Sequence, residues 1–469
     1  MNQSTTLAFA VLGCLAVGGW TILPAPAQSL PKLNARTGNN HAIGITWPYA
    51  NAGFAVQESI ALSSATNWQP STLTPAFDSN STLFSVSVAA TNPAKFFRLS
   101  LPADLRGIYI YSGDVSSLST SNAQTLTASL GVPGVDGLVL VIAWSALEPT
   151  NHIYHWTNMD LWMNQAVALG KKVDLAILGG SATPDWLFQP LTNGGAGATP
   201  LKFTISPHEG ATGNCISETI AAPWDTNFLA AWKNMLNVLS NHLKSAGTYS
   251  NLTLLRLTGI NRTTDELRLP AETAKSTGLD CVSNAPAIWQ AASYTPTNLL
   301  SGWSNILSSF QTYFPEKTFS VAIIPKNAFP AIDDNSQIIT NNIPDANQPL
   351  LALAAQKLAG RLVVQFNFLM TSSNASVAVP QATQSYGTLA AYQSNNYFGS
   401  SNGGAACGGT ATNPLACAND TYLAELREGI YPLTPTNSLR SQYVEVFPAN
   451  VIALTNAIWL AHQELFAPQ

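Results

Sequence analysis

Acidic side chains are scarce in this chain, which makes those lying inside or just after apolar runs conspicuous. Only 10% of the 469 residues are charged, 20 Lys+Arg against 25 Asp+Glu, for a formal net charge of −5. Tyr443-Val444-Glu445-Val446-Phe447 sets one carboxylate inside an apolar run. Taking a carboxylate out of water is costly, so such a group needs a partner or a purpose. An acidic pair, Asp265-Glu266, follows the apolar run at 252–258. Two carboxylates facing each other across a bond can share acid and nucleophile work, the charge on one raising the pKa of the other. In Val363-Val364-Gln365-Phe366-Asn367-Phe368 the alternation puts Gln365 and Asn367 on one face. Tyr392, Gln393 and Asn395 repeat that chemistry at the next strand end. Amides, a phenol and the rings of Trp144 and Trp186 suit a neutral polyhydroxylated ligand; they would serve equally as a satisfied polar layer and as packing.

Several other chemistries lack their signatures. No basic cluster is present for neutralising phosphates, so nucleic acid is not an expected partner. There is no G-x-S-x-G elbow, none of the six His ends a strand-like run, and no Walker pattern occurs. Cys and His spacings fit no zinc site, and neither metal nor cofactor is expected; His152 and His155 suit a turn ahead of a helix. A hydrophobic content of 46% with so little charge also excludes a solvated disordered chain.

The elements that must position these groups follow a β-α rhythm from about residue 105. Strand-like runs fall at 108–111, 138–143, 173–178, 252–258, 319–324, 362–368, 389–393 and 443–447. Eight such runs predict an α/β fold, a (β/α)8 TIM barrel over 105–469; the seventh is weakly patterned, so seven strands plus a loop is the alternative. A doubly wound sheet is the rival, without a Gly-rich phosphate loop after its first strand. Asp225 is placed to N-cap an amphipathic helix and Pro448 to open the last one. Long loops at 179–224, 259–294 and 393–417 would form the barrel's C-terminal rim, where active sites are built.

Ahead of the barrel, short alternating runs with turn residues between them predict a small all-β sandwich over 40–101. Residues 1–27 read as a secretory signal peptide ending in Pro24-Ala25-Pro26-Ala27, which implies export to the periplasm or beyond and no membrane attachment after cleavage. An uncleaved anchor helix and lipidation at Cys14 are the alternatives. Cleavage leaves Cys215, Cys281, Cys407 and Cys417, an even number in an exported chain, for which disulfides are expected. Cys407 would pair with Cys417 locally, and Cys215 with Cys281 would join two long loops.

The strand ends carry a family resemblance. Trp144-Ser145-Ala146-Leu147-Glu148-Pro149 with Tyr154, Trp156 and Asp160, and Gly180-Ser181-Ala182-Thr183-Pro184-Asp185-Trp186, resemble segments of (β/α)8-barrel glycoside hydrolases of the β-galactosidase and cellulase-like type. The resemblance implies a cleft for an oligo- or polysaccharide, with Trp144 and Trp186 against the sugar and Glu148 shaping the barrel; Asn261, Gln365, Asn367 and Tyr392 are the polar candidates for contacts with its hydroxyls. Those families close their fourth strand with an Asn-Glu acid/base pair. Here Asn261 is followed by Arg262, and the nearest Glu is Glu266, so the loop has to fold back; Asp265 and a salt bridge from Glu266 to Arg268 are the alternatives. Glu445 is then the nucleophile and a retaining course the expectation. Its strand is the eighth, however, whereas these families use the seventh. Either the count is one too many, or Glu445 binds substrate or supports structure. The implied activity is that of a secreted glycoside hydrolase; the alternatives are a non-catalytic glycan-binding protein on a degenerate barrel, and a wall-associated structural protein. Trp47-Pro48, Gly53-Phe54, Gln57-Glu58, Trp68 and Phe96-Phe97-Arg98-Leu99 resemble a small β-sandwich accessory module of exported bacterial proteins, a glycan binder or a spacer. Oligomeric state is left open by the sequence.

Overall fold

A computed structural model describes residues 33–467, apart from 38–41, 49–54, 60–68, 72, 74, 90–95, 101–103, 207–214, 325–327, 341–344, 370–377, 395–413 and 433–440. The expected signal peptide, Cys14, Gly53, Phe54, Trp68, Asn395 and Cys407 lie outside the described residues. Among the described residues no helix is long and apolar enough to cross a membrane.

Eight parallel strands close into a barrel: Gly107–Asp114, Gly137–Ala143, Lys172–Leu178, Leu252–Arg256, Thr318–Ile323, Leu362–Leu369, Leu389–Ser394 and Tyr443–Val446. Each is followed by helix, among them Thr157–Ala168, Thr226–Ser245 and Pro414–Ile430. The strands are buried on both faces, which is why they read as continuous apolar runs. Their outer face, with Ile110, Leu140, Leu175 and Val364, packs beneath the helices. A smaller inner cluster, with Tyr109, Val141, Ala176, Leu254 and Tyr443, fills the lumen. The seventh strand pairs with the eighth and the eighth with the first, so Glu445 stands on strand eight. Asp225 accepts hydrogen bonds from the amides of Asn227 and Phe228, the expected N-cap. Pro448 opens Pro448–Ala453, and a second helix, Thr455–Phe466, completes the chain's last turn around the barrel.

The residues before the barrel form two antiparallel sheets. One orders Asn34–Thr37, Ala42–Pro48, Leu83–Ala89 and Ala76–Asp78; the other Gln69–Pro70, Ala55–Ser59 and Phe96–Ser100. Val56 of the second sheet joins Ile45, Trp47, Phe84 and Val86 of the first in one core, the packing of a sandwich. Phe77 reaches the barrel: its ring lies directly over Gly387, just before the seventh strand, where a β-carbon would come within 2.7 Å of it. The sandwich therefore contacts the end of the barrel opposite the rim.

Two rim loops are tied together as expected. Cys215 and Cys281 form a disulfide, with Cα atoms 6.2 Å apart, between the loop after the third strand and the loop after the fourth. Cys417 is disulfide-bonded too, while its expected partner Cys407 falls outside the described residues. The third-strand loop forms a hairpin of Pro200–Ile205 with Ile216–Ala221, and Ser283 hydrogen-bonds Thr204 through both its amide and its hydroxyl. Beneath them Arg262 meets Glu272 at 2.7 Å and Glu218 at 3.5 Å, and burial holds the Glu218 carboxyl up at about 7. Replacing both Cys215 and Cys281 by Ser is expected to cost about 2–4 kcal/mol, read from denaturant midpoints under non-reducing conditions. An unchanged midpoint would show that the hairpin and ion cluster hold the loops without the bond.

Candidate active site

The lumen of the barrel is organised around one cation. Alternation along the strands turns Asp174, Arg256, Ser320, Gln365, Gln393 and Glu445 inward. Arg256, wholly buried, donates from Nη2 to Asp174 Oδ2 at 2.8 Å and to Gln365 Oε1 at 3.1 Å, and from Nε to Ser320 Oγ at 3.3 Å. It also pairs with Glu445 through Nη2 and with Asp265 through Nη1. Burial opposes its charge, but Glu445, Asp174 and Asp265 together hold its pKa well above the ordinary arginine value.

One guanidinium faces three buried carboxylates, more negative charge than it can compensate. Burial pushes the Glu445 carboxyl up to about 7, with Asp265 and Asp174 adding to the rise and Arg256 opposing it. Asp174 is raised as well, first by burial. Gln393 Nε2 donates to the second oxygen of Glu445 at 2.9 Å. Glu445 therefore has both oxygens engaged and no exposed surface, closed to a sugar in this conformation.

The loop after the fourth strand does fold back. Glu266 bridges in parallel to Ala322, and the amide of Leu267 donates to the Ala322 carbonyl at 2.8 Å, so Asp265 and Glu266 arrive beside the C-terminal end of the fifth strand. The two neighbours point to different environments. Asp265 is buried, paired with Arg256 and accepting from the Tyr111 hydroxyl at 3.0 Å. Glu266 is half-buried and accepts from Asn367 Nδ2 at 3.1 Å and from the Thr264 hydroxyl. Its pKa is raised, by burial and then by the Asp265 charge, with the Thr264 and Asn367 hydrogen bonds pulling the other way. Tyr111 and Phe447 pack edge to face with centroids 5.6 Å apart and leave part of both rings exposed beside Asp265.

Several expected contacts with a ligand are corrected. Trp144 follows the second strand on its outer side, is wholly buried against Trp186, Phe228 and Trp232, and donates from Nε1 to Glu148 Oε2 at 2.8 Å. Trp186 is 6% exposed and its Nε1 donates to the Glu148 carbonyl at 2.7 Å. Neither ring offers a face to a sugar, and Glu148 is the hub that fixes them, accepting also from the amide of His152. Tyr392 is wholly buried on the outer face, where alternation must put it if Gln393 points in. Asn261 is buried too, its Oδ1 accepting from the Gly259 amide at 3.1 Å, which shapes the loop. Gly180, at φ 55°, sits where a β-carbon would lie about 2 Å from the carbonyls of Asn261 and Arg262, so the two loops meet backbone to backbone. Tyr154 stacks on Trp156 and Trp156 on His242, which is 2.8 Å from Asp160; this column braces two helices on the outer flank. His152 and His155 lie in the turn ahead of Thr157–Ala168, whose N-cap takes no side-chain hydrogen bond.

Gln365 and Asn367 do share the inner face, joined by a hydrogen bond of 2.5 Å. Arg256, Asp174 and Tyr111 were not singled out in the sequence. The signal that marks Glu445, a charge inside an apolar strand, is equally present in Leu252-Thr253-Leu254-Leu255-Arg256 and Val173-Asp174-Leu175.

Two stability measurements test this centre. Glu445 keeps its proton in the folded state above the pH at which the unfolded chain releases it. Its contribution is thus fully present below about pH 4.5 and is lost as pH rises towards 7, a change on the order of 3 kcal/mol. Urea midpoints at pH 5 and pH 8 should differ less for Glu445→Gln than for wild type; equal differences would show that Glu445 is not the group responsible. Arg256→Met strands three buried carboxylates and is expected to cost at least about 3–5 kcal/mol.

No known protein-family pattern matches the chain, and no curated protein matches its sequence. Among solved structures it is similar to the catalytic domain of β-amylase from Paenibacillus polymyxa, at 12% identity over 78% of this chain and 98% of that one, with a TM-score of 0.45. It is similar also to an intracellular xylanase from Thermoanaerobacterium saccharolyticum, at 12% identity over 74% and 87% of the two chains and a TM-score of 0.41. A third is an exo-β-1,4-mannosidase from Opitutaceae bacterium strain TAV5, at 12% identity over 76% and 59% and a TM-score of 0.41. At these scores the likeness assigns neither a family nor an activity to this chain.

Proposed function

We propose that the chain is an exported glycoside hydrolase that binds a neutral oligo- or polysaccharide at the C-terminal rim of its barrel, with Glu266 giving a proton to the glycosidic oxygen. The observation that carries this reading is the division between two adjacent carboxylates: Asp265 is drawn inward to Arg256 and Tyr111, and Glu266 is left half-buried at the rim with a raised pKa. A carboxyl that holds its proton more tightly than usual, beside one committed to an ion pair, is the arrangement general acid catalysis requires. As the bond to the leaving oxygen breaks, Glu266 transfers its proton to that oxygen, a water from the open rim bonds to the anomeric carbon and releases its own proton to solvent, and Asp265 supplies negative charge towards the cation developing on the sugar ring. The partly exposed rings of Tyr111 and Phe447 offer apolar surface beside Asp265, a role first expected of Trp144 and Trp186. Glu445, the nucleophile implied by the family resemblance, would attack only after leaving Arg256 and Gln393; in the conformation described it acts as their partner. The Cys215–Cys281 disulfide suits the oxidising compartment that export implies.

A non-catalytic glycan-binding protein is the second reading, and one observation favours it. The seventh strand, where the resembled families carry the nucleophile, ends in Gln393-Ser394. Aryl glycosides and polysaccharides incubated with wild type, Glu266→Gln and Glu445→Gln separate the two. The hydrolase reading expects Glu266→Gln to lose about 100-fold or more in turnover with binding kept, and the anomeric configuration of the first product to report retention or inversion. Saturable binding with no turnover by wild type would establish the second reading in its place.

A further inference from the structure

The inner amides of the sixth strand form a chain of fixed polarity between the buried guanidinium and the rim carboxyl. Arginine only donates, so Gln365 must offer Arg256 its Oε1, at 3.1 Å. Its amide NH2 is then committed to Asn367 Oδ1, at 2.5 Å, and Asn367 is left with its NH2 directed at Glu266 Oε1, at 3.1 Å. Reversing either amide would set oxygen against oxygen or NH2 against guanidinium. Both side chains are more than nine-tenths buried, so water cannot readily take over a lost hydrogen bond. We propose that Gln365 and Asn367 are positioning residues whose coupled orientation, imposed by Arg256, holds a hydrogen-bond donor on Glu266 and thereby sets the pH at which it gives up its proton.

The inference deepens the assignment of Glu266 as proton donor and rests on it for catalytic meaning, though its physical content does not. Several other groups face Glu266: Asp265 beside it in the loop, Tyr111 from the first strand, and Thr264. Arg256 of the fourth strand lies beyond Asp265, and Glu445 of the eighth strand beyond Arg256. The fifth strand contributes the backbone at Ala322, with no charge. Asp265 raises the Glu266 pKa, whereas Asn367 favours the charged form and lowers it. Gln365 does not touch Glu266, so an effect of its substitution on that carboxyl must travel through the orientation of Asn367.

The test is the titration of Glu266 itself, followed by carbon NMR on protein labelled at the glutamate carboxyl and assigned with Glu266→Gln. Asn367→Leu removes the donor and should raise the midpoint by about one pH unit. Gln365→Met, which leaves Asn367 in place but frees it to turn, should raise it in the same direction. The double variant should match Asn367→Leu alone, because two groups acting in one chain are not additive. Where Asn367→Leu does not fold, Asn367→Ala serves, and Gln365→Leu stands in for Gln365→Met. Wild-type behaviour in the Gln365 variant, or shifts that add in the double variant, would overturn the coupling. On any substrate the protein cleaves, the alkaline limb of the rate profile should move with the titration. Full activity in Glu266→Gln would defeat the proton-donor assignment while leaving the titration to judge the amide chain.

Discussion

The barrel's interior depends on the Coulombic balance at Arg256. Four of the eight strands and one rim loop send a polar side chain to this guanidinium: Asp174 from the third strand, Ser320 from the fifth, Gln365 from the sixth, Glu445 from the eighth, and Asp265 from the loop. None of these carboxylates has enough solvent around it to stand alone as an anion, and the arginine could not be buried without them. Such a cluster contributes less to net stability than well-packed apolar groups of the same volume would. Its consequence is arrangement: a donor-only cation at the centre decides which way each amide around it must face, and so what reaches the rim.

Rigidity at the rim has separate origins. The loop that delivers Asp265 and Glu266 is pinned at Leu267 to the fifth strand, at Asn261 and Arg262 to the third-strand loop by backbone contact with Gly180, and at Arg262 to Glu218 and Glu272. The disulfide closes the same pair of loops farther out. A carboxyl whose acidity depends on one neighbouring charge and two hydrogen bonds needs its loop held this firmly, because small displacements change all three interactions together.

How much of this was legible in the sequence follows from burial. Eight strands could be read because parallel strands covered on both faces become uninterrupted apolar runs, and the closed barrel has eight at those places. Period two also placed Gln365 and Asn367 correctly on the inner face. The same rule excludes Tyr392 as soon as Gln393 is taken to point inward, since neighbours on a strand cannot share a face. Trp144 and Trp186 were beyond its reach: a tryptophan at a strand end has the same sequence signature whether it opens to a cleft or closes a core, and here both are fastened to Glu148 by their indole nitrogens. Arg256 and Asp174 were legible by the reasoning applied to Glu445. They gain their meaning only in three dimensions, where residues far apart in sequence meet at one point.

Asp265 and Glu266 show why adjacency in sequence says little about function. In the folded-back loop the two neighbours face different ways, so one enters the lumen and the other remains at its mouth. The buried member is useful to chemistry through its charge, since a carboxylate held by Arg256 and Tyr111 opposes ionisation of the group beside it. The half-buried member can then carry the proton that its neighbour makes costly to lose. A general acid in this barrel therefore does not require an Asn-Glu pair at the end of the fourth strand. It requires a folded-back loop, an ion pair that commits one carboxylate, and a donor of fixed direction on the other; the Arg256 centre supplies the last two.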